Sequence, residues 1–147
     1  MTSKPVLQKA VAQRLAAAQL PGDAPLAADA LDRAAAFMLD AAAKRGLARP
    51  AIAIESVAGA AGKRFMRVAV INDDMPFLVD SIASTVASLG LTIDRLVHPV
   101  LPVRRDADGL LTAVVDGNAA GEKRESMVYI ETRRADAKIR RALESAL

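Results

Sequence analysis

Residues 70–95 of the chain read VINDDMPFLVDSIASTVASLGLTIDR, and they carry the strongest signals of secondary structure in the sequence. An apolar run ends in an acidic loop that contains a proline. Beyond it, apolar residues recur at helical spacing until a glycine, which is typical of one buried face of a helix; they are Leu78, Val79, Ile82, Val86 and Leu89, followed by Gly90. The stretch therefore predicts strand, loop, helix, strand, and leaves open what the adjacent carboxylates Asp73 and Asp74 do.

Further strands are predicted on both sides of this stretch, because apolar residues there alternate with a period of two. A long candidate strand, 91–105, contains Pro99 and Pro102, which favour a sheet edge or a bulge. Asp108-Gly109 suits a type I′ hairpin turn after it. The other segments are AIAIESVA, a turn AGAAGK and RFMRVAVI before the acidic loop, and LLTAVVD, SMVYIETRR and a final helix ADAKIRRALESAL after it.

Residues 1–49 are alanine-rich and helical in period, and we interpret them as a helical segment preceding a second unit, 50–147. Thr2 or Ser3 is expected to cap a first helix, and Asp23, with Pro25 just inside the helix, a second. The second helix carries an apolar stripe and is expected to end at Gly46, after cations that suit its dipole; the stripe is Leu26, Ala30, Ala34, Phe37 and Ala41. Alanines bury little area, so we expect this pair to pack on something larger, as a hairpin for docking or dimerisation.

The predicted order from Arg64 is strand, helix, three strands, helix, whereas a ferredoxin-like unit needs strand-helix-strand-strand-helix-strand. Either SMVYIETRR is the third strand, the hairpin is an insertion and a final strand lies beyond Leu147, or AIAIESVA pairs at the edge. We predict an α+β fold, a ferredoxin-like antiparallel sheet with helices on one face, preceded by the helical pair. The apolar pattern running to Leu147 is typical of a piece of a longer protein.

Composition narrows the function classes. The 147 residues carry a net charge of +3, but the cations are mixed with acids and aromatic residues make up only 3%, which argues against a nucleic-acid interface. No apolar run approaches the roughly 18 residues of a membrane span. Without cysteine there is no disulfide framework or thiolate site. We expect a cytoplasmic protein that binds neither nucleic acid nor membrane.

The blocks NDDMPFLVDSIASTVASLGLTIDRLVHPVLPVRRDADGLL and RESMVYIE resemble the N-terminal region of the large bacterial NAD-specific glutamate dehydrogenases. The similarity is dense over 67–105, resumes over 124–131 and is weak before residue 50. It implies an ACT-like domain at the start of a very long chain. It also implies a parent enzyme that oxidises glutamate to 2-oxoglutarate and ammonium with NAD, using a catalytic domain that lies outside these residues.

We therefore expect a non-catalytic regulatory or assembly domain with no cofactor of its own, since the sequence lacks the G-x-G-x-x-G dinucleotide fingerprint. The implied partners are the rest of the parent chain, a second copy through the sheet or helices, and a small amino-acid effector. The alternative is an independent ACT-type amino-acid sensor.

Three interpretations of Asp73 and Asp74 compete. One of them caps the helix that follows; or the loop holds an effector, whose carboxylate a helix N-terminus attracts; or the pair binds magnesium, which would need more acids than the loop offers. The resemblance implies a glycine after Pro76, where Phe77 stands and is expected to crowd the pocket. We name no catalytic, cofactor or metal residue, and the candidate effector or interface residues are Asn72, Asp73, Asp74, Met75, Pro76, Phe77 and His98.

Other side chains are expected to be structural. His98, the single histidine, is expected to satisfy hydrogen bonds at a strand end, since one histidine builds neither a usual zinc site nor a serine triad. Tyr129 should point its ring inward and its hydroxyl to the surface. Two groups complete the predictions: a solvated basic rim, Arg104, Arg105, Lys123 and Arg124, and core-filling methionines, Met66, Met75 and Met127.

Overall fold

The computed structural model describes residues 4–19, 27–46, 49–58, 64–115 and 123–147. The helices are α1 (Lys4–Ala17), α2 (Ala28–Ala42), α3 (Leu78–Ser88) and α4 (Ala137–Ala146); the strands are β1 (Ala51–Ala58), β2 (Arg64–Asp73), β3 (Ile93–Val97), β4 (Val100–Arg105), β5 (Leu111–Val114) and β6 (Lys123–Arg133). Among these helices none is both long and apolar enough to span a bilayer. The predicted caps at residues 2, 3 and 23, the residues Pro25 and Leu26, and most of the AGAAGK turn lie outside the described ranges.

All six strands form one antiparallel sheet in the order β1-β2-β6-β4-β5, and β3 also pairs with β6. The predicted long strand is broken at His98 and Pro99 into β3 and β4. An interruption near the prolines is thus confirmed. SMVYIETRR lies in β6, the third strand of the unit, and AIAIESVA is β1, paired at the edge beside β2. SMVYIETRR as the third strand and AIAIESVA as an edge strand are both found, whereas the further strand expected beyond Leu147 stays a prediction. The α+β antiparallel fold is confirmed.

Alternate residues of the sheet face two different helix pairs. Met66, Val68 and Val70 of β2 face α3 and α4 and share a core with Ile82 and Leu143. The predicted apolar face of α3 and the predicted final helix are confirmed. Gly90, predicted to stop α3, follows the end of that helix and has a φ of 76°. In α4, Asp136 caps the helix by accepting a hydrogen bond from the Ile139 backbone N–H.

The opposite face of the sheet is covered by α1 and α2. Leu15, Phe37 and Met38 of these helices form one core with Ile71 and Tyr129 of the sheet. The expectation that the alanine-rich pair packs on a larger surface is confirmed, and that surface is the sheet of the same chain. The sheet consequently lies between two helical layers.

Helix α2 ends at Ala42, so the predicted end at Gly46 is wrong. The chain leaves the helix to pair with the β4–β5 hairpin. The backbone N–H of Arg45 donates to the Gly109 carbonyl at 3.0 Å, and the N–H of Leu111 donates to the Ala43 carbonyl at 2.9 Å. Hydrogen bonds to the hairpin thus replace the last predicted turn of the helix.

The hairpin turn is not type I′, because that turn needs positive φ at both central residues. Only Gly109 has it, with φ 83°. Instead the Asp106 carboxylate accepts hydrogen bonds from the backbone N–H groups of Asp108 and Leu110, at 2.9 and 3.0 Å. An aspartate that bonds the backbone two residues on sets a different turn.

Candidate functional site

The acidic loop, residues 72–77, comprises the last two residues of β2 and the connection to α3, and it lies beside the start of β6. The antiparallel register places Asn72 opposite Ser126 and Asp73 opposite Glu125. One residue later the backbone N–H of Asp74 donates to the Arg124 carbonyl at 3.3 Å. Strand pairing therefore brings two polar side chains of β6 against the loop.

Glu125 is the centre of a buried ion network that also contains Arg45, Asp73 and Arg105. Its side chain is 0% exposed. Arg105 donates to both carboxylate oxygens, from Nε to Oε2 at 2.9 Å and from Nη2 to Oε1 at 2.8 Å, and Arg45 Nη1 donates to Oε2 at 2.8 Å. Burial by itself would raise the pKa of Glu125, but the hydrogen bonds and charges of Arg105 and Arg45 outweigh it and hold the pKa below its ordinary value. Glu125 is therefore an ionised structural anchor.

Arg45 extends this network to the acidic loop. It is 4% exposed, and its guanidinium donates to Asp73 Oδ1 at 2.9 Å and to Asn72 Oδ1 at 3.1 Å. Burial acts to lower the pKa of Arg45, but the two acidic partners more than offset it and the pKa is raised. Arg45 is one of the two cations before Gly46 that were expected to suit the dipole of α2, and its contacts with the acidic loop were not predicted.

Arg105 does not belong to a solvated rim. Besides Glu125 it donates to the carbonyls of Ala42 and Gly109, both at 2.8 Å. It thus joins the end of α2, the hairpin and β6. The prediction was wrong for Arg105 and right for Arg104 and Arg124, whose side chains are exposed; nothing is described for the side chain of Lys123.

A second polar cluster fixes the other carboxylate of the loop. The buried Ser126 hydroxyl donates to Asp74 Oδ1 at 2.9 Å, and His98 Nε2 lies 3.0 Å from the same hydroxyl oxygen. Because that hydroxyl hydrogen points at Asp74, His98 serves here as a donor and does not take the serine proton. Burial lowers the pKa of His98, and the Asp74 charge opposes that shift in part. The cluster positions the loop and lacks the geometry of an activated nucleophile.

Neither aspartate caps α3, so the capping interpretation is wrong. The N-cap residue is Phe77, at φ 65° and ψ 8°, with no side-chain capping bond. Asp73 and Asp74 are directed instead to Arg45 and Ser126. The left-handed backbone of Phe77 is a conformation that glycine adopts most easily.

The tip of the acidic loop is apolar and exposed. Phe77 is 78% exposed and Met75 is 46% exposed. Phe77 therefore does not fill a pocket, and Met75 is not a core residue, although Met66 and Met127 are fully buried as predicted. Tyr129 is also buried to its hydroxyl, which donates to Glu131 Oε2 at 2.6 Å, so its predicted surface hydroxyl is wrong.

The side chains around the loop bear on metal and cofactor binding. Within the described ranges, no three His, Asp or Glu side chains are grouped so as to hold a metal ion. The start of α3, where a dinucleotide pyrophosphate would bind in a nucleotide fold, follows two carboxylates and no glycine-rich turn. The start of α3 therefore does not fit the pyrophosphate of NAD. A cleft of about 220 Å³ does adjoin the loop, with Asn72, Ser81 and Thr85 among its lining residues.

Comparison with known proteins identifies the family of this chain. A family model described as the ACT1 domain of glutamate dehydrogenase matches residues 24–147. The chain belongs to this family. The NAD-specific glutamate dehydrogenase of Pseudomonas aeruginosa is 40% identical over 83 residues, 54% of this chain, and that of Halomonas elongata is 39% identical over 69 residues, 46% of this chain. The matches span only 5% and 4% of the length of those two proteins. No solved structure gives a significant match.

The family match begins inside the helical segment and takes in all of α2. This agrees with the ion network, in which Arg45, just after α2, contacts Asp73 and Glu125. The ACT1 domain thus includes the contact between the second helix and the acidic loop.

Proposed function

We propose that this ACT1 domain is a non-catalytic regulatory and assembly domain of a cytoplasmic NAD-dependent glutamate dehydrogenase, the parent enzyme, which converts L-glutamate to 2-oxoglutarate and ammonium. The observation that carries the proposal is that both carboxylates of the acidic loop are engaged by partners inside the domain. Asp73 is paired with Arg45 and Asp74 with Ser126, inside the domain. Groups held in this way fix the shape of a loop and are poorly placed to exchange protons with a substrate.

Two surface features support a role in regulation and assembly. The apolar tip, Met75 and Phe77, projects from a loop that the ion network holds in place. Rigid exposed apolar side chains are typical of contact surfaces. The cleft beside the tip offers the amide of Asn72, at the end of β2, and the hydroxyl groups of Ser81 and Thr85 along α3, and polar groups of this kind suit a small amino acid. We assign the tip to contacts within the parent enzyme and the cleft to an effector.

The division of labour is tested first with the purified chain, incubated with glutamate and NAD. We expect no formation of NADH above background, whereas glutamate-dependent turnover by the chain alone would overturn the proposal. Calorimetric titration of the same chain with individual amino acids tests the cleft, and Ser81→Val removes a lining hydroxyl. An effector bound in the cleft should lose affinity in that variant.

The apolar tip is tested in the parent enzyme with M75A/F77A. We expect a change in oligomer distribution or in effector response at unchanged kcat per folded active site. The matched control is Val6→Ala, which shortens an apolar side chain of α1 that is 57% exposed. Loss of turnover in a correctly assembled M75A/F77A enzyme would contradict the non-catalytic assignment.

A further inference from the structure

Strand β1 is an open edge of the sheet. It pairs with β2 along its full length, from Ala51 opposite Ile71 to Ala58 opposite Arg64, with no break in register. Among the described residues it has no second partner strand. Half of its backbone N–H and C=O groups therefore point outward, in the arrangement that accepts another strand.

The usual protections of an edge strand are missing from β1. It contains no proline and no lysine. Its one charged residue, Glu55, is paired with Arg67 of β2. The edge strands at the other side of the sheet differ: β5 has only four residues, and β3 has five with a register shift. Strand addition is therefore most favourable at β1.

A groove of about 490 Å³ runs along β1 on the side of α2. Residues 51–55 form one wall, and Asp40 and Lys44 lie on the other. On this side of the sheet, Ala51 and Ala53 of β1 pack against the core that α1 and α2 form with the sheet. Two small side chains leave much of the groove for larger side chains of a neighbouring strand.

A second cleft, of about 220 Å³, lies beside β1 on the side of α4. Ile54, Arg140, Arg141 and Glu144 line it. Arg140 Nε is buried with no hydrogen-bond partner, and no ion pair joins the two arginines to a carboxylate within the part of the chain that the structure describes. A buried donor without a partner is destabilising. Two cations against one acid leave this cleft with a net positive charge.

The groove on the α2 side and the cleft on the α4 side together indicate which kind of strand would fit beside β1. Residues opposite each other in an antiparallel ladder project to the same face, as Ala51 and Ile71 do. A second copy of β1 would therefore bring its own Ala51 and Ala53 into the α2 groove and leave it unfilled. A strand with large apolar residues on that side and acidic residues on the α4 side would fill the groove and pair with Arg140 and Arg141.

We propose that the outer edge of β1 accepts an extended segment of the parent dehydrogenase, from outside residues 1–147, in which large apolar and acidic residues alternate. This inference rests on the proposed function, because the 83 and 69 matched residues are only 5% and 4% of the length of the two relatives. The added strand would bond to the free backbone groups, and its carboxylates would bond to the arginines of α4. Such a contact would anchor the ACT1 domain within the enzyme.

The test uses short, overlapping, fluorescently labelled peptides that cover the parent sequence, titrated with the 147-residue chain by anisotropy. We expect a peptide with the alternating pattern to bind and to slow hydrogen exchange of the β1 amides. R140Q/R141Q should weaken its binding by about tenfold or more, the equivalent of one charged hydrogen bond. The matched control, K9Q/K138Q, removes two cations that do not line either cleft and should leave binding within about twofold.

Three results would overturn the inference. No peptide slows exchange in β1, or binding is indifferent to the arginine substitutions, or β1 exchange slows with protein concentration alone, which would show pairing with a second copy. Circular dichroism checks folding, and the exposed Arg141→Gln alone serves if the double variant unfolds. None of these results depends on turnover by the chain. Failure of the strand-addition proposal can therefore be distinguished from failure of the proposed function, which is tested by turnover.

Discussion

Glu125→Gln is the substitution that most directly perturbs the buried ion network. The carboxylate is 0% exposed and accepts three hydrogen bonds from two guanidinium groups. Glutamine has nearly the same shape, but it loses the charge and turns an amide NH₂ toward a donor. Removing one partner of a buried ion pair costs about 3–5 kcal/mol, because the other charge remains buried. Arg45 keeps Asp73, so Arg105 carries most of this loss.

The assay is urea unfolding followed by far-ultraviolet circular dichroism, with thermal unfolding as a second measurement. For a domain of this size, a loss of 3–5 kcal/mol lowers Tm by roughly 6–20 °C. The control is Asp29→Asn, which breaks an exposed pair with Arg33 at 3.3 Å and should cost less than about 1 kcal/mol. If Glu125→Gln costs no more than that control, the network does not stabilise the fold and the reasoning is refuted.

The other predictions use unfolding of the same chain. Phe77→Gly should stabilise it by about 0.5–1 kcal/mol, because it relieves a left-handed residue whose ring is exposed; a loss would show that the ring makes a contact. Gly90→Ala should lower the free energy of unfolding by about 1–2 kcal/mol, because Gly90 has a positive φ. Gly109→Ala should lower it clearly more, because Gly109 also has a positive φ and its added Cβ would lie 2.2 Å from the Arg45 carbonyl oxygen. Equal losses in the two variants would contradict this close contact. The pKa of His98 is lowered in the folded state, so the unfolded chain binds a proton at this residue more readily. The contribution of His98 to the free energy of unfolding therefore falls as the pH drops below about 6.5. His98→Gln should flatten that part of the curve, and an unchanged slope would remove His98 as the cause.

The elements around residues 70–95 could be predicted because each has a local signal. The apolar spacing of α3, its stop at Gly90 and the break near Pro99 all depend on neighbouring residues in the sequence. The pairing of β1 beside β2 could be named only as one of two alternatives. That choice depends on contacts between distant segments, which local patterns do not specify.

The roles of the charged residues could not be predicted, because they depend on tertiary contacts. Arg45 follows a helix and looks like a C-terminal cation, but the chain turns there to meet the hairpin at Gly109. One signal was present: with a period of two, Glu125 falls on the same face of β6 as the buried Met127 and Tyr129. A carboxylate on a buried face calls for a buried cation. Its partners lie 80 and 20 residues away and cannot be read from the strand itself.

We propose that this ACT1 domain serves the regulation and assembly of its parent enzyme and takes no part in the chemistry. The most direct measurement compares the parent enzyme with a variant lacking residues 1–147, recording kcat per active site together with oligomer mass and response to amino acids. We expect glutamate-dependent reduction of NAD to persist in the deletion variant, while its oligomer mass or its response to amino acids changes. A deletion variant that is folded and assembled like the parent enzyme but has lost turnover would contradict it, and so would one whose assembly and response are both unchanged.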